Sequence, residues 1–452
     1  MRPALRPTAA SLRPRRVLDP TRYTPFFAYR GGRLQCERVP LERVGARVGT
    51  PAYVYSRSSI EAAYRRLDRS LGGLPHTICF AVKANSNLEI LRVLARLGSG
   101  FDIVSGGELY RLRQIGVPGR RIVFSGVGKT REEIREALRY VASGEGRRAR
   151  DTQPGLLLFN VESEAELELL AEEAARIVAN GGPRAPAAIR VNPDVEAGGH
   201  PHISTGHRRH KFGVDWGDAR RLYLALRNSR WIAWQGISAH IGSQILSLAP
   251  FHRALGRLAS YVRELARAGV PLKFIDFGGG LGIRYSSEEP PDASAYARTV
   301  AAAVRPLGCH LLLEPGRVLV GPAGILLMRV LYTKRNRGKD FVVVDGAMND
   351  FLRPALYAAA HAVTNVMRRN ARAFRADVVG PVCETGDFFV QNWLLDEVRA
   401  GDLLVIWGTG AYGFVSSSNY NSRLRPAEVL VEGSRFRIIR QRESRADLVR
   451  GE

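Results

Sequence analysis

The sequence of 452 residues predicts two domains, a parallel (β/α)₈ barrel and a β domain. Short apolar strand candidates alternate with amphipathic segments from about residue 58 to residue 317, and unusual polar residues follow these strands at one end. Beyond about residue 318 this alternation stops and extended segments replace it. The predicted fold class is therefore α/β plus β, with a TIM-like barrel on the N-terminal side and a C-terminal domain that is β-sandwich or Greek-key-like.

Eight apolar runs are the strand candidates of the barrel. They are TICFAV at 77–82, FDIV at 101–104, RIVFSG at 121–126, GLLLFN at 155–160, AAIRVN at 187–192, GISAHI at 236–241, KFIDFG at 273–278 and HLLLEP at 310–315. Helix-like segments such as NLEILRVLARLG at 87–98 separate them, with apolar residues three and four positions apart. Strand and helix repeated eight times is typical of a closed parallel barrel.

The rest of the chain completes the predicted domain organisation. Strands joined by turns are predicted from extended segments such as DFVVVDG, RADVVG and DLLVIWG. A hairpin is predicted near the N-terminus, from the segment FFAYRGGRLQCERVPL with its GG turn. The predicted boundaries are a basic tail at 1–24, a segment joining the β domain at 25–57, the barrel at 58–317, the β domain at 318–446 and a short tail at 447–452.

The charge of the chain is strongly positive but does not form a nucleic-acid signature. The formal net charge is +24, and 61 of the 67 basic residues are arginines. These arginines are scattered over predicted helix faces among acids, without an aromatic-interleaved stripe or a known nucleic-acid module. Arginine-biased composition is therefore favoured over nucleic-acid binding. No run of about 18 apolar residues is found, so no membrane span is predicted.

The cysteines and the N-terminus indicate a cytoplasmic protein. Cys36, Cys79, Cys309 and Cys383 lie far apart without metal-ligand spacing, which favours reduced thiols. The first eighteen residues contain five arginines and no acid. They faintly resemble an organelle presequence, but a disordered basic tail is favoured because a secretory apolar core is lacking.

Chemically distinctive residues follow the strand candidates at the end where such barrels build their active sites. Lys83, one of only six lysines, follows strand one. The other distinctive residues are Asp102 and Ser105 after strand two, Asn192 after strand five, His240 after strand six, GGGLG at 278–282 after strand seven and EPGR at 314–317 after strand eight. The loops after strands seven and eight form the usual phosphate cradle of this barrel. A lysine facing that cradle predicts pyridoxal phosphate bound through the amine.

Ordered motifs over most of the chain then resemble a known family. They are GTPAYVYS at 49–56, AVKAN at 81–85, FDIVSGGEL at 101–109, HISTG and KFG within 202–213, HIGSQI at 240–245, DFGGGLGI at 276–283, EPGR at 314–317, MNDFLRPALY at 348–357, CETGD at 383–387 and GAYGFVSSSNYNSRLRPAEVLV at 410–431. From about Phe26 to Leu448 the chain resembles the diaminopimelate decarboxylases, which belong to the alanine-racemase-like, fold type III group of enzymes dependent on pyridoxal 5'-phosphate.

The resemblance implies an activity and a role for each site residue. It implies decarboxylation of meso-2,6-diaminopimelate to L-lysine and carbon dioxide, the last step of lysine biosynthesis by the diaminopimelate pathway. Lys83 and Cys383 would be catalytic, the cysteine as a proton donor supplied by the partner subunit of a homodimer. The implied cofactor-binding residues are Lys83, Asp102, His240, Ser243, Gly279, Gly280, Glu314, Pro315, Gly316, Arg317 and Tyr412, with His240 stacked on the ring and Glu314 at its nitrogen. The implied substrate-binding residues are Arg317, Arg353, Tyr357, Glu384 and Tyr412.

The resemblance also implies partners and a lid. The partners would be a small amino-acid substrate and a second copy of the chain. From the residues themselves, no nucleic acid, no membrane and no metal is expected. The segment at 196–213 would be a mobile lid; its histidines His200, His202, His207 and His210 could suggest zinc, but no cysteine or carboxylate completes a site.

Other interpretations remain open from the residues alone. Lys83 could reach from a strand end to water, Cys383 could be an inert thiol, GGGLG could be a tight turn, and the arginines could be surface charges. A related decarboxylase could act on ornithine, arginine or a carboxylated polyamine, although Glu384 argues for diaminopimelate because ornithine enzymes resemble CD rather than CE here. A non-catalytic carrier of the cofactor would resemble a barrel without the β domain.

Overall fold

The computed structural model describes residues 19–141, 155–196, 211–369 and 372–452. The chain divides into two compact units, which we call the β unit and the barrel unit. Within the described ranges, the β unit contains 19–60, Arg284–Glu289 and Val320–Glu452, and the barrel unit contains Glu61–Ile283 and Pro290–Leu319. Residues 284–289, which the predicted boundaries give to the barrel, thus group with the β unit.

The β unit begins with a small antiparallel sheet and one strand of its main sheet. The elements are β1 Phe27–Arg30, β2 Arg33–Cys36, β3 Val39–Pro40, α1 Leu41–Val48, β4 Ala52–Ser56 and α2 Arg57–Ser70, whose last ten residues belong to the barrel unit. The first two strands form the hairpin that the sequence predicts, with Phe27 opposite Cys36. Gly31 and Gly32 make its turn at φ values of 55° and 74°, a backbone region that glycine adopts without steric cost.

The barrel unit is built from eight parallel strands, as predicted. They are β5 His76–Ala81, β6 Gly100–Ile103, β7 Ile122–Phe124, β8 Leu158–Val161, β9 Ala185–Arg190, β10 Ile232–Ser238, β11 Phe274–Asp276 and β12 His310–Leu313. They close in the order β10, β11, β12, β5, β6, β7, β8, β9. Side chains from six strands, including Cys79, Val123 and Leu158, fill one buried cluster of the interior. The largest boundary difference is at β10, which starts at Ile232 rather than Gly236 because Ile232 already pairs with Ala185.

Helices lie between successive barrel strands, and one short helix follows the last strand. They are α3 Leu88–Arg96, α4 Gly106–Gln114, α5 Arg131–Leu138, α6 Glu164–Ala179, α7 Trp216–Ala225, α8 Ala249–Arg267, α9 Ala293–Val304 and α10 Arg317–Val320. Several begin with a capping side chain: Asn87, Ser105 and Ser163 each accept a hydrogen bond from a first-turn backbone amide. Short polar residues in the loops after β5, β6 and β8 therefore start the helices that follow these strands.

The remainder of the β unit completes a nine-stranded mixed sheet. Its elements are β13 Gly324–Asn336, β14 Lys339–Val344, α11 Arg353–Tyr357, β15 Val363–Asn365, β16 Ala373–Val379, β17 Phe388–Asp396, β18 Leu403–Trp407, β19 Ala427–Glu432, β20 Arg435–Arg440 and α12 Arg445–Leu448. The main path runs β17, β16, β14, β13, β4, β19, β20, and β18 pairs with both β13 and β15. The predicted combination of a barrel with a β domain is thus confirmed. None of the helices in the described ranges has the length and apolarity needed to cross a bilayer.

Candidate functional site

Lys83 lies just beyond the end of β5, in the short 3₁₀ helix Val82–Ala84. The register of β5 with β6 places Ala81 opposite Asp102, so the lysine meets a carboxylate of the neighbouring strand. Nζ of Lys83 donates to Oδ2 of Asp102 at 2.7 Å. The Asp102 side chain is fully buried, whereas that of Lys83 is 40% exposed. The amine is therefore anchored at the strand end and still accessible to a ligand.

Two further carboxyl groups lie at the ends of the next barrel strands, β11 and β12. Asp276 and Glu314 are both buried, and the amide Nδ2 of Asn160 lies 2.7 Å from Oδ2 of Asp276 and 3.4 Å from Oε1 of Glu314. Ser125 Oγ donates to Oε1 of Glu314 at 3.1 Å. Burial, followed by the charges of Asp102 and Asp276, raises the pKa of Glu314 well above its usual range. Burial also raises the pKa of Asp276. Glu314 can thus hold a proton for a basic group placed beside it.

His240 follows β10 and is held as a neutral imidazole. Burial lowers its pKa well below the usual value, and the charges of Arg190 and Lys83 lower it further. The backbone N–H of Gly279 donates to its Nδ1 at 3.2 Å. Because Nδ1 accepts a hydrogen bond, the ring is oriented and carries its proton on Nε2. A flat, uncharged ring in a fixed orientation can pack against an aromatic cofactor.

The loops after β10, β11 and β12 form a close-packed backbone cradle. A Cβ on Gly279 would lie 2.4 Å from the carbonyl oxygen of Glu314, and one on Gly280 would lie 2.5 Å from that of Gly242. Gly280 also has a φ of 104°, which L side chains rarely adopt. Nη2 of Arg317 donates to Oγ of Ser243 at 2.9 Å, which ties the first loop to the last. Only glycine allows the backbone to pass this closely, as a phosphate cradle requires.

The EPGR segment is bonded to the strand that leads to Lys83. The backbone N–H of Ala81 donates to the carbonyl of Pro315 at 3.2 Å, and that of Leu319 donates to the carbonyl of Gly316 at 3.1 Å. In the barrel unit the structure therefore brings together all the predicted cofactor residues except Tyr412, which lies in the β unit.

These barrel residues fit pyridoxal phosphate. Lys83 offers an amine, Glu314 offers a buried carboxyl group of raised pKa for a ring nitrogen, and the glycine cradle offers backbone amides. Oδ1 of Asp102 is buried and has no hydrogen-bond partner within the described part of the chain. A buried carboxylate oxygen is costly without a donor, so a ligand that supplies one would be stabilised here.

The predicted substrate residues of the β unit centre on Arg353, the first residue of α11. It is 5% exposed, and its guanidinium lies over the rings of Tyr285 at 5.0 Å and Tyr357 at 5.6 Å. Its Nε donates to Nε2 of His361 at 3.3 Å. Tyr412, also in this unit, has a φ of 57°, a conformation that is uncommon for a bulky residue. A desolvated guanidinium of this kind can bind a carboxylate through charge-assisted hydrogen bonds.

Cys383 and Glu384 lie on an exposed but well-held loop of the β unit. Cys383 is the one exposed cysteine of the four. Its backbone N–H donates to Oδ1 of Asn421 at 3.2 Å, and the Tyr420 hydroxyl donates to the Glu384 carboxylate. Within the same loop, Oδ2 of Asp387 accepts from the backbone N–H of Val382 at 2.7 Å. The loop therefore presents a thiol and a carboxylate to its surroundings in a defined conformation.

Sequence reasoning missed several residues of these sites. Asn160 contacts both Asp276 and Glu314. His361 and Tyr285 contact Arg353. Asn421 accepts a hydrogen bond from the backbone of Cys383. Asp276 could have been found, because it ends a strand and precedes the glycine run. The lid histidines His200, His202, His207 and His210 lie outside the described residues.

A barrel that brings together a lysine, a buried acid of raised pKa and a glycine cradle is the arrangement of a pyridoxal-phosphate enzyme. In agreement, residues 57–321 match the family model "Pyridoxal-dependent decarboxylase, pyridoxal binding domain". The chain is 49% identical to the diaminopimelate decarboxylase of Pseudomonas fluorescens over 94% of this chain and 98% of that protein. For the Pseudomonas aeruginosa diaminopimelate decarboxylase the identity is 48%, over the same shares. This chain belongs to the diaminopimelate decarboxylase family.

Solved structures agree with this membership. The Helicobacter pylori diaminopimelate decarboxylase complexed with L-lysine is 39% identical, with a TM-score of 0.83 over 91% of this chain and 98% of that chain. The M. jannaschii diaminopimelate decarboxylase, also in complex with L-lysine, is 34% identical, with a TM-score of 0.86 over 94% of this chain and 97% of that chain. The sequence resemblance is thus confirmed at the level of the family.

Proposed function

We propose that this chain uses pyridoxal phosphate to decarboxylate meso-2,6-diaminopimelate at its D-configured centre, giving L-lysine and carbon dioxide. Its membership of the family supports the reaction, and the named activity of its relatives supports the substrate. The observation that carries the substrate assignment is the buried guanidinium of Arg353 beside Tyr285 and Tyr357. Diaminopimelate keeps a carboxylate at its far end, whereas ornithine, arginine and polyamine substrates offer none there.

The reaction breaks the bond between the α carbon and its carboxylate, releases carbon dioxide and adds a proton to the same carbon. When bound, pyridoxal phosphate supplies an electron-withdrawing ring that stabilises the electron pair left on that carbon. Lys83 would hold the cofactor through its amine. Glu314 would supply a proton to the ring nitrogen, and neutral His240 would lie against the ring. The Cys383 thiol delivers the proton to the α carbon.

The remaining assigned residues bind and orient. Asp102 holds the Lys83 amine, and Ser243, Gly279, Gly280, Pro315, Gly316 and Arg317 form the phosphate cradle. Arg353 and Tyr357, with Arg317, meet the distal carboxylate of the substrate. Glu384 meets the distal ammonium, and Tyr412 contacts both cofactor and substrate. Two arginines suit a carboxylate because a guanidinium meets it in a planar fork of two hydrogen bonds.

We also propose that the protein works as a cytoplasmic homodimer whose active sites are shared between subunits. The exposure of Cys383 and Glu384 on a held loop supports this assembly. A proton donor and an ammonium-binding carboxylate have no reason to lie on a surface loop unless that surface is completed by another group. A second copy of the chain would supply the complementary surface. The domain boundaries predicted from the sequence remain a proposal as well.

The test of the proposed function is product formation by purified protein supplied with pyridoxal phosphate. We expect L-lysine from meso-diaminopimelate, no product from ornithine or arginine, and no product with Lys83→Ala. Arg353→Ala should lower kcat/KM for diaminopimelate by about 10²- to 10³-fold, because a desolvated charge pair loses one partner. Product from ornithine or arginine instead, or full diaminopimelate turnover by Arg353→Ala, would show that the substrate assignment is wrong.

A further inference from the structure

We propose that His361 is a positioning residue for Arg353: its neutral imidazole sets the plane of the guanidinium and thereby the affinity for the distal carboxylate of the substrate. The inference rests on the proposed role of Arg353 and concerns residues of the β unit only. His361 follows α11, is fully buried and belongs to none of the groups assigned above.

The hydrogen bonds of His361 determine its tautomer. Nδ1 lies 2.8 Å from the backbone carbonyl oxygen of Trp407, which can only accept, so Nδ1 carries the proton. Nε2 then has a lone pair and accepts from Nε of Arg353 at 3.3 Å. A doubly protonated ring would turn an N–H toward the guanidinium N–H. The carbonyl of Trp407 therefore selects the one form of histidine that can accept from Arg353.

The imidazole ring is also held against rotation. Its centroid lies 4.3 Å from that of Tyr285 and 4.7 Å from that of Phe351, the latter at an interplanar angle of 87°. The Trp407 carbonyl is itself fixed, because the backbone N–H of Trp407 donates to Ala362 at 3.0 Å and its indole donates to Thr364 at 2.9 Å. Two aromatic rings and a braced carbonyl thus give His361 one orientation.

Because the guanidinium is planar, the orientation of His361 determines the orientation of the groups that bind the substrate. Nε and the two terminal nitrogens of an arginine lie in one plane, so directing Nε–H at His361 fixes the direction in which the terminal N–H groups point. Tyr285 and Tyr357 lie against the guanidinium and limit its movement out of that plane. A carboxylate needs both terminal donors at once to form two parallel hydrogen bonds. Losing the acceptor at His361 would therefore weaken carboxylate binding without removing the charge.

Two substitutions separate the two hydrogen bonds of His361. In His361→Gln the side-chain oxygen can reach the position of Nε2 and still accept from Arg353, but the donor to Trp407 is lost. In His361→Asn the amide can replace Nδ1 and still donate to Trp407, but the acceptor for Arg353 is lost. We expect His361→Asn to raise KM for diaminopimelate at least tenfold with kcat changed less than threefold, and His361→Gln to raise KM less than threefold.

Two inhibitors report on the carboxylate directly. L-Lysine keeps the distal carboxylate, whereas cadaverine is the same diamine without it. With the holoenzyme, His361→Asn should weaken inhibition by L-lysine at least tenfold and change inhibition by cadaverine less than twofold. Equal effects of the Asn and Gln variants, a fall in kcat at constant KM, or equal weakening of both inhibitors would overturn the inference and leave His361 a structural residue.

Arg353→Ala distinguishes failure of the inference from failure of the proposed function. If that variant leaves inhibition by L-lysine intact, the proposed role of Arg353 is wrong; if it weakens inhibition and His361→Asn does not, only the positioning role is wrong. Should both histidine variants fail to fold, the wild-type holoenzyme with ¹⁵N-labelled histidine decides the matter. We expect one neutral, Nδ1-protonated histidine whose Nε2 signal shifts with L-lysine and not with cadaverine, and the lack of such a signal overturns the inference.

Discussion

Nζ of Lys83 and Oδ2 of Asp102 are 2.7 Å apart, and the second oxygen of that buried carboxylate has no partner within the described ranges. The ion pair joins two adjacent strand ends, because the register of β5 and β6 sets Ala81 opposite Asp102. Among the ion pairs of the described residues, Lys83 is thus the only group of opposite charge that Asp102 contacts directly.

Removing Lys83 should destabilise the cofactor-free protein, and removing Asp102 as well should repair part of the loss. We expect Lys83→Ala to lower the free energy of unfolding by about 1–3 kcal/mol, less than for a fully buried pair because Lys83 is 40% exposed. The double variant Lys83→Ala with Asp102→Asn should regain at least half, since no unpaired charge then remains buried. Urea unfolding at pH 7 measures both, and a double variant less stable than the single one would contradict this account.

The stability of the β unit should depend on pH through Asp350. Burial raises the pKa of this carboxyl group from 3.8 to about 7, although the backbone N–H of Ala347 donates to it at 2.9 Å. Because the folded pKa is the higher one, the native state binds the proton more tightly, and its stability falls as the pH rises from about 4 through about 7. Asp350→Asn removes this loss.

The free energy of unfolding of Asp350→Asn should therefore rise relative to wild type between pH 4.5 and pH 8. From the size of the pKa shift we expect a relative gain of about 2–4 kcal/mol over this window. Denaturant unfolding at pH 4.5, 6 and 8 gives the difference directly. A difference that stays constant with pH would mean that the Asp350 carboxyl group does not titrate in this range.

Gly280→Ala should weaken cofactor binding, because the added Cβ would lie 2.5 Å from the carbonyl oxygen of Gly242 at a φ of 104°. We expect the affinity of the apoprotein for pyridoxal phosphate to fall at least tenfold in an absorbance titration. Gly256→Ala is the matched control: this glycine lies in helix α8, and its Cβ would meet nothing within 4 Å. That variant should keep the affinity and gain up to about 1 kcal/mol of stability. Equal affinity losses in both variants would contradict a specific cradle.

Cys383→Ala should slow turnover and leave cofactor binding unchanged. Loss of a positioned proton donor typically costs about 10²- to 10⁴-fold, so we expect kcat to fall in that range. Iodoacetamide should modify this thiol first, because it is exposed and the pKa values of Cys36, Cys79 and Cys309 are raised by burial. An unchanged kcat would count against Cys383 as the donor, and first labelling elsewhere would show that this thiol is not the most accessible of the four.

Mixing two inactive variants should restore activity if active sites are shared. A heterodimer of Lys83→Ala and Cys383→Ala chains has one site with both residues intact and one with neither. After subunit exchange at equal concentrations, half of the dimers are mixed and half of their sites work, so we expect roughly 25% of wild-type activity. If mass spectrometry detects mixed dimers but activity does not recover, Cys383 acts in the active site of its own subunit.

The barrel and the strand-end residues could be predicted because they depend on local patterns. Strand ends of a parallel barrel meet at one edge, so Lys83 and Asp102 could be placed at the same edge from their positions alone, although their ion pair was not predicted. The surroundings of Arg353 could not, because His361, Tyr285 and Trp407 come from separate parts of the β unit and no periodic pattern connects them. The raised pKa of Glu314 likewise depends on its burial near Asp102 and Asp276, which only three-dimensional packing reveals.

Because Lys83 is accessible, the attachment of a cofactor to it could also be measured directly by mass spectrometry. The chain has six lysines, so a protease specific for lysine would cut at six points, and Lys83 and Lys129 would be consecutive ones. Reduction with borohydride would make the attachment permanent and block the first of these two cuts. The fragments 1–83 and 84–129 would then be replaced by one fragment, 1–129, that carries the added mass, so the fraction of loaded chains could be counted without an assay of turnover.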